Sequence, residues 1–191
     1  MRNALLKAAD VGPTWQAPTE SAAPNQLVSI CGADTAPVAI PGKPTLVSAP
    51  LSDEGAEGAQ SLTQHALIYE DALSATTSLA SLQTVANACA PSVSIPAKSG
   101  DREEPAYTET AATSPLEEGD WLGFVTVRTK LYDPAHPATA DVAVAVLTKG
   151  NVVLVDQYAI YRLGKSTASA NPQFSADWQK LVGTTLKRID G

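Results

Sequence analysis

The chain has 191 residues, with 13 basic and 20 acidic side chains, a net charge of −7 and a pI near 4.7. A nucleic-acid-binding domain needs a basic surface that displaces counterions from phosphates, and this charge balance excludes one. Hydrophobic residues form 44% of the sequence, which is enough for the core of one domain over residues 1–191. The sequence has no apolar run of the roughly 18 residues that a membrane-spanning helix requires.

The two cysteines, Cys31 and Cys89, are the best compositional indication of where the protein works. Exported proteins often contain disulfides, whereas cytosolic proteins rarely do. In the chain-entropy model a Cys31–Cys89 cross-link stabilises the fold by roughly 4 kcal/mol. The alternative is a pair of buried free thiols that pack as small apolar side chains. We predict the disulfide, and with it an extracellular or cell-envelope protein whose export signal or membrane anchor lies outside this chain.

The first 44 residues are predicted to be partly irregular. Residues 3–11 favour a short helix, which Gly12-Pro13 ends. Prolines and the lack of periodicity predict loops from there to residue 44, with a short strand over residues 27–31.

Two strands and a long helix are predicted next. Residues 45–51 and 62–70 favour strands that a long polar loop joins as a hairpin. Asp71 is the predicted N-cap of a helix whose apolar face repeats every three or four residues. That face comprises Ala72, Ala75, Leu79, Leu82, Ala86 and Cys89. Cys89 is therefore expected on the buried face of the last turn, where a bond to Cys31 ties the helix to the N-terminal segment.

The second half of the chain favours an antiparallel sheet. Residues 107–112 are predicted as an edge strand, and residues 121–132 as a half-buried strand with Arg128 on its polar face. The apolar runs 142–147 and 152–155 flank a glycine-containing turn and predict a hairpin.

An amphipathic helix closes the chain. Ser175 is its predicted N-cap, and Asp177 complements the dipole of the first turn. Its apolar face comprises Trp178, Leu181, Val182, Thr185, Leu186 and Ile189. Because helices and strands do not alternate regularly, we predict an α+β fold, in which an antiparallel β-sheet has helices packed on one face and carries one disulfide.

Catalytic and metal-binding motifs are scarce. The histidines, His65 and His136, are predicted as an ordinary strand residue and a turn residue rather than catalytic bases. The histidines and cysteines lack zinc-ligand spacing, and the acidic stretches lack calcium-loop spacing. We therefore expect no cofactor, no metal and no enzyme activity. A pair of carboxylates for glycoside hydrolysis is the catalytic alternative, because such pairs are distant in sequence.

Tyrosines on the predicted sheet are the candidates for ligand binding. Aromatic side chains with a polar tip often line ligand clefts, although ordinary core packing is the alternative for each of them. We predict that Tyr132, Tyr158 and Tyr161, together with Arg128, contact a ligand in a cleft between the sheet and the central helix.

Four segments of the chain together carry a family resemblance. They are the run Leu5-Leu6-Lys7-Ala8-Ala9-Asp10-Val11-Gly12 followed by Trp15, the helix that ends in Cys89, the hairpin 143–155 and the closing helix. In these features the chain resembles the extracellular sensor domain of the PknH-type actinobacterial serine/threonine kinases, a family that includes sensor-domain lipoproteins. The resemblance implies an α+β domain outside the membrane that binds a ligand without catalysis. The chain departs from the family in one respect: the kinase sensor domain has two disulfides, and this sequence has cysteines for one.

We therefore expect a non-catalytic, extracytoplasmic ligand-binding or sensor-like module of an actinobacterial envelope protein. Its partner is expected to be a small molecule or an envelope component, and the protein a monomer that reaches the membrane only through an anchor outside this chain. A small secreted hydrolase with a carboxylate pair and a purely structural envelope protein are the alternatives.

Overall fold

The structure, a computed structural model, describes residues 1–18, 27–32, 38–55, 58–99, 105–164 and 172–191. The described helices are α1 (Ala8–Val11), α2 (Ala72–Asn87) and α3 (Pro172–Asp190). The described strands are β1 (Thr45–Gly55), β2 (Gly58–Ile68), β3 (Ser92–Ile95), β4 (Tyr107–Glu118), β5 (Trp121–Tyr132), β6 (Ala138–Lys149) and β7 (Val152–Leu163). They form one antiparallel sheet in the order β1-β2-β7-β6-β5-β4-β3.

The middle of the sheet is the predicted hairpin of β6 and β7. Lys149 pairs with Val152 across a tight turn. Gly150 takes a backbone φ of +57° there, a conformation that glycine adopts at little cost. β5 pairs with β6, and β2 pairs with β7. Strand β7 therefore joins the β1–β2 hairpin to the rest of the sheet.

The sheet has an apolar core on each face. Ala143 and Ala145 of β6 pack with α3 and the N-terminal segment, whereas Val142 and Val144 pack with α2. Since successive strand residues point to opposite faces, the two long helices cover opposite sides of the sheet. We call these sides the α2 face and the α3 face.

The predicted α+β class, with an antiparallel sheet, packed helices and one disulfide, is confirmed. The prediction placed the helices on one face, and the structure distributes them over both. The reason lies in residues 142–147, which are apolar at every position, so both faces of this strand need a cover.

Strand β5 has the predicted bounds, whereas β1, β2, β4, β6 and β7 are all longer than predicted. Pairing of β1 with β2 continues to Gly55 and Gly58, through polar residues expected to form a loop. The other side of β2 pairs with β7 as far as Arg162, so neighbouring strands hold this polar end in the ladder. β4 pairs with β5 over its whole length and with β3 over Tyr107–Thr110, so its first part is not a sheet edge.

The helix ends agree with the predictions in part. The Asp71 side chain accepts a 2.7 Å hydrogen bond from the Ser74 N–H, which confirms it as the N-cap of α2, whereas Ala72 is exposed rather than on the buried face. Ser175 lies inside α3 and is not its N-cap, because the helix begins at Pro172. No helix among the described residues is long and apolar enough to cross a bilayer.

Residues 1–18 pack against the α3 face, and the helix predicted there is reduced to α1. The Leu6 N–H donates to the Gln64 side chain at 2.8 Å instead of to a helical carbonyl. The Arg188 guanidinium of α3 donates two hydrogen bonds of 2.7 Å to the Asp10 carboxylate. This segment is therefore held by side-chain contacts and by two backbone hydrogen bonds between Gln16 and Ser52 of β1, rather than mainly by helical hydrogen bonds.

The predicted disulfide joins Cys31 to Cys89, with Cα atoms 5.0 Å apart. It ties the loop of residues 27–32 to the end of α2. The strand predicted over residues 27–31 is wrong, because Leu27 and Ile30, at a spacing of three, both turn into the core on the α2 face.

Candidate ligand-binding site

The strand register divides the predicted ligand residues between the two faces of the sheet. Arg128, Tyr132 and Tyr161 lie on the α2 face, and Tyr158 lies on the α3 face. Tyr132 and Tyr161 are in direct contact, with ring centroids 5.9 Å apart.

Arg128 lies beneath the surface of the α2 face. Its guanidinium donates a 3.0 Å hydrogen bond to Glu109 Oε1, and the two residues are 5% and 6% exposed. Burial lowers the pKa of Arg128, and the Glu109 carboxylate opposes that shift. A buried ion pair of this kind holds β4 and β5 side by side, because either charge alone would be costly to bury.

The disulfide-linked loop of residues 27–32 closes over this ion pair. Gly32 has a φ of +141°, and a β-carbon at this position would lie 2.6 Å from Glu109 Oε2. Glycine is therefore required for two reasons, the backbone conformation and the space that the carboxylate occupies. Arg128 consequently does not face a cleft here.

The tyrosine cluster, defined as Tyr107, Tyr132 and Tyr161, lies beyond the core that α2 covers. The rings of Tyr107 and Tyr132 are 5.2 Å apart, and Tyr132 meets Tyr161 edge to face at 88°. Lys130 Nζ lies 4.3 Å from the centre of the Tyr107 ring and 3.2 Å from its hydroxyl. These contacts hold the three rings in fixed positions relative to one another.

The cluster forms because three strand ends meet there. Tyr107 begins β4 and pairs with Tyr132, which ends β5. Asp133-Pro134 stops β5 in a turn, in which Asp133 Oδ1 accepts a 2.8 Å hydrogen bond from the Ala135 N–H. The turn leaves the Tyr132 ring half-buried at the rim of the sheet.

An open groove of about 610 Å³ borders the tyrosine cluster. Its walls include Ile95, Tyr107, Tyr132 and Pro134. The volume lies within the ~300–1,000 Å³ typical of clefts for small organic ligands. We call this feature the tyrosine groove.

Tyr161 borders a second depression on the other side of the cluster. That depression has a volume of about 400 Å³ and includes Gly58 and Arg162 in its lining. The Tyr132–Tyr161 contact therefore separates two concave surfaces at the same end of the sheet.

Tyr158 has a different environment from the cluster. It is 2% exposed, its ring stacks on Phe174 of α3 at 5.6 Å, and its hydroxyl donates to Gln60 Oε1 at 2.7 Å. Burial raises the pKa of Tyr158 to about 12. Its ring is part of the packing between α3 and the sheet.

Apolar side chains fill the space in which the cleft was predicted. Between α2 and the central strands, Leu82 of the helix packs with Val144 and Val153 of the sheet, and all three are fully buried. The concave surfaces described above lie at the rim of the sheet instead, because small and β-branched residues on the strands let the helix pack closely.

A buried carboxyl group lies on the α3 face. Asp156 Oδ2 accepts a 2.9 Å hydrogen bond from Gln64 Nε2, which also lies 2.6 Å from the Thr185 hydroxyl. Burial raises the pKa of Asp156 to about 7, which the Gln64 hydrogen bond partly opposes. A hydrolase of the alternative kind needs two carboxyls facing one cleft, whereas Asp156 is enclosed.

The histidines occupy ordinary positions. His65 is buried on β2, its Nδ1 lies 2.8 Å from the Ser48 hydroxyl, and burial lowers its pKa to about 4. His136 lies in the exposed turn after β5. Among the described residues, no group of three or more His, Cys, Asp and Glu side chains is placed to hold a metal ion.

The sequence reasoning missed Tyr107 and Lys130. Tyr107 begins the predicted edge strand, and Lys130 lies on β5 two residues after Arg128. The pairing of Tyr107 with Tyr132 brings Tyr107 and Lys130 to the rim of the sheet at which Tyr132 lies. That pairing depends on a contact between strands rather than on a local pattern.

Comparison with known proteins gives one structural likeness. The sequence matches no family model and no curated protein. Among solved structures, the extracellular domain of PknH from Mycobacterium tuberculosis is similar, with a TM-score of 0.43 and 15% identity. The matched region covers 74% of this chain and 64% of that domain, which is less than two thirds of its length.

Proposed function

We propose that this protein is a non-catalytic, sensor-like module that binds an organic ligand in the tyrosine groove, outside the cytoplasm. The observation that carries the proposal is the groove of about 610 Å³ at the rim of the sheet, with Tyr107 and Tyr132 in its wall. Concave, largely apolar surfaces with a few polar groups are the usual form of ligand sites.

The arrangement of the rings favours binding. Tyr132 contacts a tyrosine ring on either side, so its orientation is restrained before a ligand arrives. Preorganised side chains lose little conformational entropy on binding, and aromatic rings bury a large apolar area while keeping a hydroxyl for hydrogen bonding. The groove therefore suits a ligand that combines an apolar or ring-shaped part with polar groups.

The disulfide supports a location outside the cytoplasm, because cytosolic conditions keep such thiols reduced. We place the module in an actinobacterial cell envelope, held there by an anchor outside this chain, on the strength of the sequence resemblance. The partner is a small molecule or an envelope component.

Native mass spectrometry and a thermal-shift screen of envelope metabolites, such as amino sugars, muropeptides and inositol phosphates, test this proposal. The Tyr132→Leu variant keeps apolar volume but removes the central ring, so a hit should bind it about tenfold or more weakly. Leu122→Ser at the opposite end of β5, where Leu122 is 53% exposed, is the control and should bind normally. A screen in which every hit binds Tyr132→Leu with unchanged affinity, or a screen without any hit, would overturn the proposal.

A further inference from the structure

A second cavity lies on the α3 face, away from the tyrosine groove. It has a volume of about 230 Å³ and lies between the N-terminal segment, α3 and strands β2 and β7. Trp15, Gln60, Tyr158 and Thr184 are part of its lining. The volume is below the ~300–1,000 Å³ of drug-sized sites, so it suits a molecule with one small ring.

The walls of this cavity are fixed by contacts on each side. The Tyr158 hydroxyl is bonded to Gln60 at 2.7 Å, and its ring stacks on Phe174. The N-terminal wall is held by the paired hydrogen bonds between Arg188 and Asp10. A site formed from restrained groups loses little entropy when a ligand enters.

The charges in the lining nearly balance. Asp10 and Asp177 contribute carboxylates, and Lys180 contributes an ammonium group. Asp10 is already paired with Arg188, which lies outside the lining. A charged ligand would disturb this balance, whereas a neutral ligand would not, since an added charge in a partly enclosed site has to be paired or solvated.

The uncharged groups point to hydroxyl recognition. The Gln60 amide both donates and accepts hydrogen bonds, and the Thr184 hydroxyl, which donates to the Lys180 carbonyl at 2.7 Å, keeps lone pairs to accept from a ligand. Trp15, which is 8% exposed, adds an indole ring to the lining, whereas the Tyr158 ring, at 2% exposure, presents almost no surface there. Aromatic surface next to mixed donors and acceptors matches a molecule that has a C–H face and a rim of hydroxyl groups.

We propose that this cavity binds a single neutral sugar ring or cyclic polyol. Trp15 packs against the C–H face of the ring, while Gln60 and Thr184 bond its hydroxyls. This site is separate from the tyrosine groove and does not depend on the ligand proposed there. For a ligand of about a dozen heavy atoms we expect a Kd on the order of 1 mM.

A titration monitored through the indole N–H of Trp15 in ¹H–¹⁵N spectra tests the proposal. Glucose, glucosamine and glucuronate offer one ring with neutral, positive and negative charge, and myo-inositol offers a neutral ring without a ring oxygen. We expect saturable shifts of the Trp15 signal with glucose or myo-inositol, and weaker binding of both charged rings. No saturable shift with either neutral ring, or tighter binding of a charged ring, would overturn the proposal.

A matched pair of variants locates the site. Thr184→Val removes the lining hydroxyl at constant shape and should weaken binding about tenfold, the effect of one lost hydrogen bond. Thr76→Val is the control, because Thr76 on α2 makes the same kind of bond to the carbonyl four residues earlier, at 2.9 Å, and lies outside the cavity. Equal affinities of the two variants would contradict the assignment. Tyr132→Leu should leave this titration unchanged, and this result separates the cavity from the tyrosine groove whether or not the groove binds a ligand.

Discussion

At the level of single residues, each face of the sheet encloses a polar group that local sequence patterns do not reveal. The alternation along β5 predicted a polar face for Arg128, and the residue is instead buried against Glu109. On the other face, Asp156 is enclosed between Gln64 and α3. Arg128 and Asp156 each bond to a side chain on another strand of the sheet. We therefore expect both residues to affect the stability of the fold.

Arg128→Met should destabilise the protein by about 3–5 kcal/mol, because it leaves the Glu109 carboxylate buried without its partner. Glu109→Leu should destabilise the protein by a similar amount, because it leaves the Arg128 guanidinium buried without its partner. In the double variant both charges are gone, so we expect most of the lost free energy of unfolding to return. Urea denaturation of the three variants measures this coupling, and strictly additive losses would contradict the ion pair.

The pH dependence of stability should reflect Asp156 and His65 together. Burial raises the pKa of Asp156 from 3.8 to about 7, so the folded protein keeps a proton there that the unfolded chain has lost, and stability falls as pH rises through that window. Burial lowers the pKa of His65 from 6.5 to about 4, so stability falls as pH decreases from 6.5 to 4. The two slopes therefore oppose each other at mildly acidic pH.

Asp156→Asn removes one of these slopes and should expose the other. We expect the variant to have a higher Tm than the wild type above about pH 7, where Asp156 is ionised, and to lose stability steadily below about pH 6.5 as His65 takes up a proton. Thermal unfolding of the variant and the wild type, measured from about pH 4 to above pH 7, tests both effects. Asp120→Asn, at a carboxylate that is 84% exposed, is the control, and a variant less stable than the wild type at high pH would be inconsistent with this assignment.

At the level of elements, local signals predicted well wherever the cause was local. The bounds of β5, the turn between β6 and β7 and the Asp71 cap follow from alternation, a glycine turn and an N-cap side chain. The polar ends of β1 and β2 could not be predicted in this way, because their neighbours in the sheet hold them in the ladder. Arrangements that depend on strand register require the fold itself.

The candidate site shows the same division between local and non-local causes. The prediction selected Tyr132 and Tyr161, which are in contact, but it also grouped Tyr158 with them, although Tyr158 lies on the opposite face. Residue 158 alternates with residue 161 along one strand, so their separation of three places them on different sides. The participation of Tyr107 depends on pairing between β4 and β5, which the sequence pattern leaves undetermined.

The Cys31–Cys89 bond should stabilise two elements at once, since it connects α2 to the loop that covers the Arg128–Glu109 pair. Replacing both cysteines with serine should lower the free energy of unfolding by about 4 kcal/mol in the chain-entropy model. Urea denaturation checks the value, and reducing the wild-type protein should shift its midpoint toward that of the variant. Equal stabilities of the oxidised wild type and the variant would refute this role.

At the level of the whole molecule, a single sheet separates two faces with different surfaces. The α2 face ends in the rigid tyrosine cluster beside a large open groove, and the α3 face encloses a smaller, partly polar cavity beneath the N-terminal segment. Each edge of the sheet carries a proline, which has no backbone N–H to donate. They are Pro50 in β1 and Pro115 in the part of β4 that extends beyond its pairing with β3. Prolines at sheet edges discourage pairing between copies, and the expected monomer stays a prediction that they favour.

The central claim is that the tyrosine groove binds the ligand, and the most direct test compares the affinity of one screening hit for the wild type, Tyr132→Leu and Leu122→Ser. Isothermal titration calorimetry should give the wild-type Kd for Leu122→Ser and a Kd raised about tenfold or more for Tyr132→Leu. Circular dichroism should show that both variants keep the fold. Equal affinities of all three folded proteins for every screening hit would contradict the account.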